Sequence, residues 1–235
     1  VGVARRPALQ PDDAGIAQPI EHRGDGGVVD LARARLASAL DVRDLDLTNG
    51  GERPLDQHDE VPLTDLGQDG TLIRTDRIST PGPTRGVDLW WSGKHHHHGG
   101  NIQVVSAPDG WPLWTSPVRP GREHDTTAAR ADPDLLTQIA AWVDDGQLGL
   151  ADLGYEGEAD LLRIPIKKPA DGELTVDQQA YNAVHGALRC LGERANSLLK
   201  TTFKALRRWR GCPWRIGDVV AAALVLLHHE HHRTT

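Results

Sequence analysis

From Gly172 to Arg210 the chain carries one apolar periodicity uninterrupted by proline, and nothing else constrains its fold as strongly. Wound at about 100° per residue, the stretch LRCLGERANSLLKTTFKALRRWR (188–210) gathers Leu188, Leu191, Ala195, Leu198, Leu199, Thr202 and Leu206 on one side. A stripe of that kind packs against a core. Arg189, Glu193, Lys200, Lys204 and Arg207 fall within about 80° of one another on the opposite side. One acid therefore stands among four bases. Two readings compete. The first is a solvated face in which Arg189 and Glu193 pair at i,i+4, contributing only tenths of a kcal/mol. The second is a carboxylate that holds a metal while the bases hold phosphates, and it requires further carboxylates elsewhere. Gly186 and Gly192 are the points where this helix would break.

Strand signals precede the helix. GTLIRTDRI reads as a strand, and NIQVVSA and PLWTSPV as two more joined by a Pro-Asp-Gly turn. HDTTAARADPDLLTQIAAWVDDG is helical, divided by Pro133, with Asp125 or Thr126 as the cap. LGLAD and LLRIPIKK read as strands, and a last apolar helix covers about 216–230. The order is three strands, helix, two strands, helices, which places the chain in the α/β class.

Residues 1–66 have a different texture, with scattered acids, RGDGG and NGGERP, and weak periodicity. They read as a poorly defined segment ahead of one domain over 67–235. With Val1 first and no methionine in the chain, the expectation is a truncated or frame-disrupted copy. The net charge of −7 hides an asymmetry: residues 1–68 hold 7 Arg against 13 acids, residues 186–216 hold 8 bases against 1 acid. The basic stretch suits a phosphate backbone. The longest apolar run, VVAAALVLL, is too short to span a bilayer, and there is no signal-peptide pattern. A cytoplasmic location, at a bacterial nucleoid, follows as an expectation. Cys190 and Cys212 fit no metal motif and read as reduced thiols.

Two acids answer the requirement set by Glu193. Asp69 starts the first strand, in QDGTLI, and Asp152 ends LGLAD beside glycines. Carboxylates at strand ends, joined by one from a helix, can hold divalent ions that prefer oxygen ligands. The spacings are 83 and 41 residues. In the same order, DGTLI, WWSGKHHHHGGNIQVV, PDG, PGREHD, LADLGYEG and ERANSLLK make the segment from Asp69 to about Arg210 resemble the DDE-superfamily transposases of bacterial insertion sequences and the related Harbinger-type nucleases. The resemblance implies a ribonuclease-H-like mixed sheet flanked by helices. It implies that Asp69, Asp152 and Glu193 are catalytic and bind Mg²⁺ or Mn²⁺, as a pair of ions, for strand cleavage and transfer on double-stranded DNA. A homo-oligomer on the DNA is implied as well. Arg189 and Lys200 match bases that some members carry around the Glu, and with Lys94, Lys204 and Arg207 they are assigned to DNA. Gly186 stands where a tyrosine is expected. The alternatives are a plain metal-dependent nuclease and a DNA-binding remnant that no longer cuts.

The remaining features have plainer readings. His95–His98 are loop or strand-entry histidines, and His228, His229, His231 and His232 form a polar helix end. Trp90 and Trp91 suit core or hairpin packing better than base stacking, His124–Asp125 reads as a helix cap, and Tyr155 suits either packing or DNA contact.

Overall fold

The computed structural model describes residues 65–233. The expectations for residues 1–64 lie outside the described residues. Chain order is β1 (Leu66–Arg74), β2 (Trp91–Ser92), β3 (His97–Ser106), β4 (Pro112–Thr115), β5 (Arg119–Pro120), α1 (Asp125–Arg130), α2 (Pro133–Asp144), β6 (Gly149–Leu150), a 3-10 turn (Leu153–Glu158), α3 (Val176–Thr202) and α4 (Ile216–Glu230). This is a mixed α/β fold whose curled mixed sheet, flanked by helices, is compatible with a ribonuclease-H-like architecture.

The sheet is built around β1 and β3, antiparallel from Gly67↔Ser106 to Arg74↔Gly99. Strand β6 lies parallel to β1 on its other edge, with Leu66↔Gly149 and Gly67↔Leu150. Side chains alternate across a strand, so the register sorts them into two layers. Ile73, Ile102 and Val104 face one way, into a core with Leu199 of α3 and Ile216, Val220, Leu224 and Leu227 of α4. Leu66 and Val105 face the other way, onto Ala129, Leu135, Ile139, Tyr155 and Leu162. Both faces of the sheet are thus covered by helices.

Helix α3 begins with a capping box, in which the Thr175 hydroxyl accepts from Gln178 N–H and the Gln178 side chain accepts from Thr175 N–H. It does not break at Gly186 or Gly192. Gly192 lies close against β1: a Cβ added at Gly67 would stand 3.3 Å from the Gly192 Cα. The helix stops at Thr202, because Phe203 is extended (φ −107°, ψ 98°). Lys204 and Arg207 therefore lie beyond α3, which corrects their placement on its polar face. Arg207 donates from Nε to the Lys200 carbonyl at 2.9 Å, satisfying an end carbonyl that has no partner within the helix. LLRIPIKK is also not a strand. It contributes one isolated bridge, Leu150↔Arg163, and Pro165, with no N–H to donate, follows soon after. The expected helices match well: Pro133 does divide α1 from α2, and α4 runs from Ile216 to Glu230. No helix among the described residues is long and apolar enough to cross a membrane.

Candidate active site

Strand pairing brings Asp69 and Asp152 to the same place. Continuing the parallel β1–β6 register two residues past Gly67↔Leu150 sets Asp152 beside Asp69. Asp152 leaves the strand extended, and its Oδ1 accepts from Gly154 N–H at 2.7 Å, which starts the 3-10 turn. Asp69 shares the face of β1 that α3 covers. Its Oδ2 accepts from Asn196 Nδ2 at 2.8 Å, and Arg189 lies 3.8 Å from its Oδ1. The same guanidinium is 3.4 Å from Glu193, whose side chain is 58% exposed. Arg189 thus connects the helix acid to the strand acid. Lys200 turns inward, donating to Thr71 Oγ1 at 2.6 Å and to the Leu72 carbonyl at 3.1 Å, so it fastens α3 to β1. Burial lowers its pKa against an opposing pull from Asp69.

A third aspartate joins this pair, and sequence reasoning assigned it a different role. Asp125 is the first residue of α1, whose N-cap is His124 without a side-chain cap bond. Its carboxylate accepts from Asn101 Nδ2 at 2.9 Å and from Lys94 Nζ at 3.1 Å instead of capping the helix. Lys94 lies 3.7 Å from Asp152 as well. Burial pulls the Lys94 pKa down, but Asp125, Asp152 and Asp69 outweigh it and the net shift is upward. For Asp69, burial is the largest influence and pushes the carboxyl up. Arg189 and the Asn196 hydrogen bond oppose it, Asp152 and Asp125 reinforce it, and the pKa reaches about 6. Three cations, Lys94, Arg189 and Lys200, face these three aspartates.

The donor chemistry suits a divalent ion. The donors are hard oxygens, partly buried, and a cation, the Lys94 ammonium, already stands against two of them. As they are placed, no three His, Cys, Asp or Glu side chains among the described residues are close enough to hold one ion together. The Lys94 ammonium occupies the space between Asp125 and Asp152.

The other singled-out residues sort out simply. Trp90 is buried in the core and edge-on to Trp214, while Trp91 packs on His98. His97 and His98 begin β3, and His98 pairs with Asp88 at 3.0 Å. Tyr155 is fully buried, its hydroxyl donating to Gln103. His228 is buried with Nε2 2.7 Å from the Pro112 carbonyl, rather than part of a solvated helix end. Cys190 and Cys212 are free.

A family model described as DDE superfamily endonuclease matches residues 68–228, taking in most of β1, the Asp152 turn, all of α3 and nearly all of α4. The chain belongs to the DDE superfamily endonucleases. No curated protein and no solved structure matches it. Membership supports a nuclease acting on DNA with divalent metal.

Proposed function

We propose that this chain is the catalytic domain of a transposase of the bacterial insertion-sequence, Harbinger-like group. It cuts double-stranded DNA and transfers the freed strand, with Asp69, Asp152 and Glu193 holding Mg²⁺ or Mn²⁺. What supports this most is the approach of Asp69 and Asp152 across the β1–β6 junction, with α3 lying against it at Gly67 and carrying Glu193. When bound, the ions supply charge at the scissile phosphate and make water, or a 3′-hydroxyl, acidic enough to attack. Arg189 keeps Asp69 and Glu193 oriented toward each other, and Asn196 fixes the Asp69 rotamer. Lys200 holds α3 at its distance from β1, a structural task more than a phosphate contact. Exposed Lys204 binds backbone phosphate, and Lys94, whose side chain is 59% exposed, turns to phosphate once an ion takes its place. The working form is a homo-oligomer on element ends.

The test is Glu193→Gln in the full chain, assayed on DNA carrying the flanking repeats of the gene. The substitution keeps the shape and removes the charge. We expect Mg²⁺-dependent cleavage to disappear while DNA binding persists or tightens. Cleavage by the variant at the wild-type rate overturns the assignment. Strand-joined products from the wild-type chain separate a transposase from a nuclease that stops at hydrolysis.

A further inference from the structure

Two glycines leave room for the Asp125 carboxylate. A Cβ on Gly70 would collide with Asp125 Oδ1, and a Cβ on Gly154 would stand 3.0 Å from its Oδ2. Gly70 directly follows Asp69, and Gly154 lies two residues past Asp152. Each segment that delivers one of those acids therefore also leaves room for Asp125. The Thr126 hydroxyl donates to the Gly154 carbonyl, tying α1 to the turn that Asp152 begins. Beneath, a buried polar chain fixes the carboxylate. The Tyr155 hydroxyl donates to Gln103 Oε1, Gln103 Nε2 donates to Asn101 Oδ1 at 3.0 Å, and Asn101 Nδ2 donates to Asp125. Gln103 is fully buried and Asn101 is 6% exposed. Such a network holds one geometry, because any buried member left unpaired is costly. A first-turn acid serving only the helix dipole needs none of this, and α1 has just six residues.

We infer that Asp125 is a further metal-holding carboxylate of this centre, sharing with Asp152 the place now taken by the Lys94 ammonium. Asn101, Gln103 and Tyr155 are its positioning residues. The inference rests on the metal-dependent reading above, and the experiment separates the two.

Mn²⁺ binding to the full chain without DNA is measured by electron paramagnetic resonance for wild type, Asp152→Asn, Asp125→Asn and Lys94→Met. Asp152→Asn and Asp125→Asn are each expected to weaken Mn²⁺ binding by about tenfold or more. Lys94→Met, which removes the competing cation, is expected to tighten it by about threefold or more. If Asp152→Asn loses Mn²⁺ while Asp125→Asn keeps wild-type affinity, this inference is overturned and the proposed function stands. If the wild-type chain binds no Mn²⁺, both are overturned. Should Asp125→Asn fail to fold, Lys94→Met decides, since unchanged affinity places the ion elsewhere.

Discussion

At the scale of single residues, Asp69 links the acidic centre to stability. Its folded pKa of about 6 lies above the ordinary value of 3.8. A raised carboxyl pKa means the folded chain holds the proton more tightly than the unfolded one. The resulting stabilisation is fully present below about pH 4 and is lost as pH rises through about 6. A two-unit shift corresponds to roughly 2–3 kcal/mol. The metal-free chain should therefore lose stability across that window in denaturant titrations, and Asp69→Asn should flatten the decline. A wild-type curve that rises between pH 4 and 6 while the Asp69→Asn curve stays parallel to it would contradict the burial argument. Arg207 belongs at this scale too. Because it satisfies a carbonyl at the end of α3, Arg207→Ala should lower Tm through the loss of about one hydrogen bond's 0.5–1.5 kcal/mol.

At the scale of elements, the decisive contact is α3 against β1, and its two glycines are not equivalent. A Cβ on Gly67 would meet Ser106 Oγ at 2.6 Å and the Gly192 backbone at 3.3 Å, whereas a Cβ on Gly192 finds its nearest neighbour at 3.4 Å. Gly67→Ala should destabilise by about 1–3 kcal/mol through overpacking. Gly192→Ala should be neutral or stabilise by up to about 1 kcal/mol, since alanine favours a helix. Equal losses in thermal denaturation would argue against the close approach. This contact also marks the limit of sequence reading. The 3.6-residue pattern placed Arg189, Glu193 and Lys200 in one helix, as they are, but Lys200 turns inward onto β1 while Glu193 stays exposed, and Leu191 and Thr202 of the expected apolar side are exposed. It failed for Lys204 and Arg207, since the basic pattern runs on past the point where Phe203 turns extended. The β1 and α4 segments were legible because apolar periodicity and burial agree there. LLRIPIKK misled because an apolar run says nothing about whether an edge is available to pair with. Asp125 looked like a helix cap because its surroundings come from β1, β3 and the Asp152 turn, far away in sequence. Its local signal was the HD step that closes PGREHD, one of the segments that carry the resemblance.

At the scale of the whole molecule, Lys204 is presented to solvent just past α3, while Arg207 and Arg208 beside it are committed to the Lys200 carbonyl and to Asp76. Lys204 is exposed. Lys204→Ala should therefore lower the slope of log K against log salt by about 0.9, one phosphate contact, without changing the fold. Lys200→Ala should instead reduce thermal stability, because its ammonium bridges α3 to Thr71 and Leu72. An unchanged salt slope for Lys204→Ala would remove it from the DNA surface. The covering of the sheet by α3 also sets the order in which the acidic centre is assembled during synthesis. Synthesis delivers Asp69, Asp125 and Asp152 first, on elements that can pair with one another, and Glu193 only with the long helix that follows them. Until that helix has left the ribosome, one face of the sheet is bare and the acidic cluster lacks its fourth member. On the assignment proposed for Glu193, a chain halted before α3 lacks one of the acids that would hold the ions, and cutting would wait for the helix that closes the sheet.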